Sequence, residues 1–245
     1  MLKIKRMHSK KLMKNNIFSN NKKFHAIILA RGDSKGIKNK NLILINKKPL
    51  IYWSIRNCLK SKKISKTWVS SDNKKILNVA KKYGANIIIR PKKLATDKSS
   101  SDEAWEHAIR YIAKVEVIDY VVGVQPTSPI RANDDFDRAI TKSFNKNYDS
   151  MFSASDFETY FTWTIKNKKV IPRYNLKKRP RRQELKKTIL ENGSFYIFNA
   201  KLFLKFKVRL FGKIGFYLMK KYRGFQIDTL EDASFINSIF KNYLK

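Results

Sequence analysis

Short apolar segments alternate with amphipathic segments along most of this chain. Continuous runs of Val, Ile and Leu are typical of buried strands, and apolar residues three or four positions apart are typical of helices. Strands that are separated by helices pair in parallel, because the helix carries the chain back across the sheet. The pattern therefore predicts an α/β fold with a mostly parallel sheet. The predicted strands are 26–29, 68–71, 86–89, 119–124 and 150–154, and the predicted helices are 50–59, 73–83, 101–113 and 133–147.

The alternation is interrupted between 156 and 190, where the sequence becomes aromatic, basic and proline-containing. This change predicts an insertion or arm. Beyond it, Phe195–Phe198 predicts another strand, and Gln226–Asp228 predicts a strand end. A last helix is indicated by apolar residues that share one face between 235 and 243.

The chain is strongly basic, with 54 Lys and Arg against 19 Asp and Glu and a formal net charge of +35. Such a field attracts nucleic acid, anionic lipid and nucleoside triphosphates alike, so charge does not choose the partner. A basic RNA-binding protein is therefore one hypothesis. Residues 1–24 hold many of these charges and no acid, which predicts a disordered basic tail before a single domain at 25–245.

The cysteine, histidine and apolar content of the chain exclude several classes of protein. Cys58 is the single cysteine, and the three histidines have no metal-ligand spacing. No apolar run reaches the ~20 residues that cross a bilayer. These features predict a cytoplasmic protein without a membrane segment, and no Ser nucleophile lies in a visible hydrolytic triad.

The polar loop at 30–41 is the most informative motif, because it directly follows the first predicted strand. Its glycines allow backbone N–H groups to approach an anion, and its Arg and Lys side chains add charge. The spacing matches neither the P-loop nor the dinucleotide fingerprint. We interpret it as a phosphate site, and a solvated Lys-rich loop is the alternative. The residues that offer charge or hydrogen bonds are Arg31, Ser34, Lys35, Lys40 and Asn41.

A second polar segment follows the fourth predicted strand. Gln125 begins it and can both donate and accept hydrogen bonds, while Pro126 and Pro129 stiffen the loop. Ligands of open α/β sheets lie beyond the carboxyl ends of the strands. Gln125 is therefore a candidate for binding a hydroxylated substrate, and a plain proline turn is the alternative.

Three later segments carry weaker signals. Asn192 precedes Gly193 in a turn-like pair, and together with Tyr196 it could present polar groups to a sugar. Asp228 could hold Mg²⁺ or cap a helix. Arg182 lies in a basic run that suits either RNA or a carboxylate-bearing substrate.

Taken in order, these motifs resemble the CMP-sialic acid synthetases, also called acylneuraminate cytidylyltransferases. Each motif is modest alone, but their order along 25–240 is specific. The motifs are A-R-G-x-S-K-G-x-x-x-K-N at 30–41, R-P-x-x-L-A-x-D at 90–97, Q-P-T-S-P-I-R at 125–131, R-R-Q at 181–183, E-N-G-S-F-Y-I at 191–197 and I-D-T-x-x-D at 227–232.

The resemblance implies a Rossmann-like sheet with helices on both faces and a protruding dimerisation arm at about 156–190. It also implies transfer of CMP from CTP to the anomeric hydroxyl of a nonulosonic acid of the sialic, legionaminic or pseudaminic type. Mg²⁺ would be the cofactor, a homodimer the assembly, and cell-surface polysaccharide biosynthesis the use of the product. CMP-KDO synthetase is the nearest alternative, and an RNA-binding role would leave the ordered motifs unexplained.

Matching the motifs assigns roles residue by residue. Arg31 and Lys40 would be catalytic, and Lys40 would neutralise charge on the phosphates. The metal would be bound by Asp228. One departure is Gln226, since many relatives carry a carboxylate there. We expect the metal to rely on Asp228 with the CTP phosphates, and the alternative is that a second metal site is lost. The resemblance gives nucleotide binding to Arg31, Ser34, Lys35, Lys40, Asn41 and Arg90, and sugar binding to Gln125, Arg182, Asn192 and Tyr196.

Overall fold

The computed structural model describes residues 22–34, 36–157, 161–184 and 187–243. Its eleven described strands are β1 (Phe24–Leu29), β2 (Leu44–Ile45), β3 (Lys48–Pro49), β4 (Lys66–Ser71), β5 (Asn86–Ile89), β6 (Tyr120–Val124), β7 (Ser150–Phe157), β8 (Trp163–Lys166), β9 (Lys169–Pro172), β10 (Thr188–Asn199) and β11 (Ile214–Met219). The described α-helices are α1 (Leu50–Lys60), α2 (Lys74–Lys82), α3 (Ser101–Ile112), α4 (Asp135–Lys146), α5 (Ala200–Phe206) and α6 (Leu230–Tyr243). Four short 3-10 helices cover Lys40–Leu42, Lys92–Leu94, Arg182–Glu184 and Lys221–Gly224.

Seven strands form one sheet in the order β11-β7-β10-β6-β1-β4-β5. β1 pairs in parallel with both β4 and β6, β4 with β5, and β7 with β11. β10 runs antiparallel to both of its neighbours, β6 and β7. The predicted α/β fold with a mostly parallel sheet is confirmed. The crossovers leave the carboxyl ends of β1, β4, β5 and β6 on one edge, where ligands of such sheets bind.

Helices cover both faces of this sheet. Ala26 and Ile28 of β1 point into a core with α1, α2 and α4, whereas Ile27 between them points into a second core with α3 and α5. Successive strand residues face opposite sides, so a strand buried on both faces becomes the continuous apolar run seen in the sequence. A third core joins α6 to the segment that contains Ile37 and Ile45.

Local signals place the helix ends close to prediction. Asn73 accepts hydrogen bonds from the backbone of Lys75 and Ile76 at the start of α2, and Gly84 follows that helix with φ +86°. Ser100 and Glu103 form a capping box at the start of α3. Asp102 and Glu103 lie in the first turn of α3, where the helix dipole favours carboxylates.

Two predictions near the end of the chain are wrong. Gln226–Asp228 is not a strand end but a loop between a 3-10 helix and α6. Asn192-Gly193 is not a turn before a strand but lies inside β10, where the register with β7 shifts between Glu191 and Tyr196. Gly193 has φ +66°, so this bulge takes a conformation that other residues rarely adopt. The pattern also gave no sign of α5 or β11.

The segment that we predicted as an arm contains two antiparallel strand pairs in its described residues. β7 and β10 continue as an antiparallel pair to Phe157 and Thr188, and β8 and β9 form a separate hairpin beyond it. Most side chains between 161 and 187 are exposed. Residues 1–21, which make up nearly all of the predicted tail, lie outside the described residues. None of the helices in the described segments has the length and hydropathy needed to cross a bilayer.

His25 on β1 predicts a fall in stability below neutral pH. The ring is fully buried, its Nδ1 accepts a hydrogen bond from Trp68 Nε1 at 3.0 Å, and its Nε2 donates to the backbone oxygen of Val117 at 3.0 Å. Burial holds the pKa of His25 below its ordinary value, although Glu116 nearby opposes that shift. A second ring proton would also abolish the bond from Trp68.

Because the unfolded chain then binds more protons than the folded one, stability is complete above about pH 6.5 and falls as pH drops below it. We expect the free energy of unfolding, measured with urea, to decrease from pH 7 to pH 5. A His25→Gln variant should lose less over that range. An equal loss in both proteins would show that other groups cause the change.

Candidate active site

A cleft of about 450 Å³ opens beyond the carboxyl ends of β1, β5 and β6. β1 leads into the loop that begins with Arg31, β5 ends just before Arg90, and β6 ends just before Gln125. The loop before α6 supplies Asp228 from the opposite side. The structure thus brings together predicted residues that are nearly 200 positions apart in the sequence. The predicted site residues that line the cleft are Arg31, Ser34, Lys40, Asn41, Arg90, Gln125 and Asp228.

The loop after β1 is held in shape by polar contacts. The Gly32 backbone N–H donates to Asp72 at 2.9 Å, and the Asn41 side chain donates to the backbone oxygen of Arg31 at 2.9 Å. A Cβ atom on Gly36 would lie 2.4 Å from the backbone oxygen of Asp228, so only glycine allows the two loops to approach this closely. Asn41 is buried and lines the cleft, and these bonds give it a scaffold role there.

Arg31 and Lys40 are each paired with a carboxylate. Arg31 Nη1 lies 2.9 Å from Asp97, and Lys40 Nζ lies 2.8 Å from Asp228. Lys40 Nζ also donates to the backbone oxygen of Ile227 at 3.1 Å. The Lys40 side chain is 12% exposed and the Asp228 side chain 68%, so the cation is fixed while its partner faces solvent. Arg31 also borders a second cleft that contains Lys38 and Lys92.

Arg90 is a buried cation that is only partly paired with other protein groups. It is 5% exposed, and its Nε and Nη2 atoms have no hydrogen-bond partner among the described residues. Burial lowers the pKa of this guanidinium, and Arg31 nearby lowers it further, although Asp72 opposes the shift. A buried charge without partners costs several kcal/mol, so such groups are uncommon outside binding sites. Arg90 lines the cleft, and a guanidinium is suited to a ligand with two neighbouring acceptors.

Arg131, which the sequence motif includes without a role, supports the cleft from behind. Its buried guanidinium donates to Ser194 and to the backbone oxygen of Gln125 at 2.7 Å, and it also reaches Ser54 at 3.0 Å. Burial lowers the pKa of Arg131 to about 10. The side chain therefore stays charged at neutral pH and ties the loop of Gln125 to β10 and α1.

Asn192 and Tyr196 do not line the cleft formed by the other predicted residues. Asn192 is 3% exposed, its Oδ1 accepts from Ser153 at 2.6 Å, and its Nδ2 donates to Ser155 at 2.9 Å. Tyr196 donates its hydroxyl hydrogen to Glu191 at 2.5 Å, and burial raises the pKa of this phenol to about 12. Sugar binding by these two residues stays a prediction. Their contacts show that they stabilise the bulge and its surroundings.

Two further predicted site residues cannot be placed relative to the cleft. Lys35 lies outside the described residues, and so does the side chain of Arg182. Conversely, the structure identifies lining groups that the sequence analysis did not single out. They are Thr96, Ser99, Ser100 and Ser101. Their signal is the hydroxyl-rich stretch at 96–101, which runs from the end of the R-P-x-x-L-A-x-D motif through the capping residue Ser100 to the start of α3.

The donor set around Asp228 can be compared with the needs of Mg²⁺. Asp232 accepts hydrogen bonds from the backbone of Asp228 and Thr229, which lowers its pKa and fixes it as a helix cap. Within the described segments, no cluster of three or more His, Cys, Asp or Glu side chains is arranged for a metal. One carboxylate, completed by substrate phosphates and water, is a usual environment for Mg²⁺, so Asp228 fits this role only with a nucleotide present.

Comparison with known proteins agrees with this geometry. A family model described as cytidylyltransferase matches residues 25–244. N-acylneuraminate cytidylyltransferase A of Danio rerio is 34% identical over 209 residues, which are 83% of this chain and 47% of that protein. Pseudaminic acid cytidylyltransferase of Campylobacter jejuni subsp. jejuni serotype O:2 is 30% identical over 220 residues, which are 88% and 95% of the two chains. The chain thus spans about half the length of the zebrafish relative and nearly all of the bacterial one.

Solved structures show the same fold. The structure of CMP:2-keto-3-deoxy-manno-octonic acid synthetase complexed with CTP superposes with a TM-score of 0.68 at 15% identity, covering 89% of this chain and 98% of that one. A 4-diphosphocytidyl-2C-methyl-D-erythritol synthase superposes with a TM-score of 0.67 at 10% identity, covering 90% and 99%. At these identities the likeness concerns the Rossmann-like nucleotidyltransferase fold alone. The family model, the relatives and the ordered motifs around one cleft together show that this chain belongs to the cytidylyltransferase family.

Proposed function

We propose that this chain transfers a cytidylyl group from CTP to the anomeric hydroxyl of a nonulosonic acid of the sialic, legionaminic or pseudaminic type. The observation that carries the proposal is the convergence of Arg31, Lys40, Arg90 and Gln125 around one cleft. These residues supply cations for a triphosphate, a buried pair of donors for a base and an amide for a sugar. Both relatives described above carry cytidylyltransferase names, one for an acylneuraminate and one for pseudaminic acid.

Arg90 favours cytosine as the base. Its free Nε and Nη2 donors point from one guanidinium group and require two adjacent acceptors. Cytosine offers such a pair in O2 and N3, whereas uracil carries a hydrogen on N3. A site with buried donors discriminates strongly against a base that leaves one of them unpaired. We therefore assign the part of the cleft at Arg90 to the base and the part at Arg31 and Lys40 to the phosphates.

In the reaction, the oxygen of the sugar hydroxyl forms a bond to the α-phosphorus and releases its proton. The bond from that phosphorus to the β-phosphate bridge oxygen breaks, and pyrophosphate leaves. Such transfers depend on positioning and charge neutralisation rather than on a covalent protein intermediate. Lys40 and Arg31 would neutralise charge on the phosphates, and Gln125 would orient the sugar. Mg²⁺ bound by Asp228 would supply further neutralisation of the phosphate oxygens.

We also propose that two copies associate through the arm. The hairpin of β8 and β9 exposes Trp163, Ile165, Val170 and Ile171, and each of them is at least 46% exposed. A group of large apolar side chains exposed together is typical of an interaction surface.

The reaction would take place in the cytoplasm, where CTP is made, and the product would serve cell-surface polysaccharide synthesis.

Pyrophosphate release tests the proposed activity. The assay contains CTP, Mg²⁺ and one of N-acetylneuraminic, legionaminic or pseudaminic acid, and the control contains KDO. Release with a nine-carbon acid that depends on the sugar supports the proposal. Release with KDO alone would favour the eight-carbon alternative. A folded protein that does not bind CTP but binds RNA with a steep salt dependence would contradict the enzyme hypothesis.

A further inference from the structure

The side chain of Gln226 is bonded to two separate parts of the site. Its Nε2 donates to the backbone oxygen of Asn192 at 2.6 Å, and its Oε1 accepts from Thr127 Oγ1 at 3.4 Å. Both the donor and the acceptor of the amide are therefore in use. A carboxylate of the same shape could accept from Thr127 but could not donate to the Asn192 oxygen.

The contact with Asn192 depends on the bulge in β10. Gly193 has φ +66°, and a Cβ atom there would lie 2.6 Å from Gln226 Nε2. The glycine thus provides both the backbone conformation and the space that the amide occupies. Asn192 is itself fixed by Ser153 and Ser155, so Gln226 is attached to a rigid part of the sheet.

The residues that follow Gln226 are also held in place, and they include Asp228. The Ile227 backbone N–H donates to the Thr127 oxygen at 2.9 Å, and Lys40 bonds both the Ile227 oxygen and the Asp228 carboxylate. Thr127 and Asp228 both line the cleft. Gln226 therefore joins three segments: the loop after β6, the bulge of β10 and the loop that carries Asp228.

We propose that Gln226 is a positioning residue whose amide fixes the Asp228 loop against β10. On this view Gln226 is not a weakened metal ligand. Its Nε2 donates to the Asn192 oxygen and its Oε1 accepts from Thr127, so only Asp228 remains for a cation that arrives with the nucleotide. The inference rests on the proposed function for its effect on turnover, but the clamp itself is a property of the free protein.

The test compares wild type with Gln226→Glu, which is isosteric and lacks the donor, and with Gln226→Met, which has a similar length and neither polar group. Hydrogen exchange of the free protein is measured over 189–194 and 225–229, with 105–112 in α3 as the internal reference. We expect both variants to speed exchange in the first two segments, by about tenfold or more for Gln226→Glu, because a carboxylate facing a carbonyl oxygen is worse than an apolar group. Exchange in the reference segment should not change.

Turnover and the Mg²⁺ requirement supply the second measurement. We expect kcat of Gln226→Glu to fall by about tenfold or more, with no gain in the affinity for Mg²⁺. Unchanged exchange in 189–194 would overturn the clamp. Higher Mg²⁺ affinity with full turnover in Gln226→Glu would show that this position is a metal site. If wild type turns over no sugar, the proposed function fails, and the exchange result still decides the role of Gln226.

Discussion

Replacing Lys40 with alanine is expected to lower kcat for pyrophosphate release by about 10²–10³-fold, the usual cost of removing one group that stabilises developing charge. Lys40 Nζ is held at the cleft by Asp228 at 2.8 Å and by the Ile227 oxygen, so its position is set before a nucleotide arrives. Assays of pyrophosphate release with CTP and the accepted sugar measure the fall in kcat. Unfolding midpoints should stay close to wild type, because Asp228 is mostly exposed and can be solvated when its partner is removed.

Lys60→Ala is the matched control for that variant. It removes the same charge from an exposed position at the end of α1. Turnover of the control should equal that of wild type. If both variants lost activity equally, the overall positive field and not Lys40 would be responsible, and a loss in Lys40→Ala of only a few fold would contradict a catalytic role.

Replacing Arg90 with methionine is expected to weaken CTP binding by about 100-fold, because two bonds from a charged donor are lost at about 1.5–3 kcal/mol each, with partial relaxation. Stability should change in the opposite direction. Arg90 is 5% exposed and its Nε and Nη2 donors have no partner among the described residues, so methionine removes the cost of burying them and loses only the attraction of Asp72. We expect an unchanged or higher unfolding temperature together with the loss of CTP affinity.

Calorimetry with CTP and UTP and a thermal unfolding scan measure both effects. Discrimination between the two nucleotides should shrink in Arg90→Met, because the donor pair that distinguishes them is gone. Arg110→Met, on the exposed face of α3, is the control and should leave CTP binding intact. A marked fall in unfolding temperature with unchanged CTP affinity would show that Arg90 is structural.

In the free site, the two cations that we propose to bind phosphates are each paired with a carboxylate. Arg31 is paired with Asp97 and Lys40 with Asp228. Both carboxylates lie at the cleft region, on loops that follow β5 and precede α6. A nucleotide bound here would place its phosphates against cations whose positions are already set, and the mostly exposed carboxylate of Asp228 would remain open to a cation.

The strand and helix pattern up to residue 154 could be predicted from the sequence because it depends on near neighbours. An apolar run such as 121–124 is buried on both faces wherever its partners lie, and Asn73 caps α2 through bonds only two and three positions away. The place of the 30–41 loop at the cleft is predictable for the same reason. Its glycines and cations are contiguous, and they directly follow a recognisable strand.

The roles of Asn192 and Gln226 could not be predicted, because they depend on contacts between distant residues. Asn192 resembles a turn residue locally, but Ser153 and Ser155 on β7 bind both ends of its amide. Gln226 lies in a loop after a 3-10 helix, and its side-chain amide is bonded to Asn192 and to Thr127, which are both distant in the sequence.

Local periodicity and residue type were enough to predict the α/β class, the parallel strands of the first half and the order of the motifs along the chain. Only the folded chain shows that β10 runs antiparallel between β6 and β7, that Nε and Nη2 of Arg90 have no hydrogen-bond partner among the described residues, and that Gln226 bonds both Asn192 and Thr127. These features arise from which surfaces meet when the sheet closes, and no stretch of neighbouring residues encodes them.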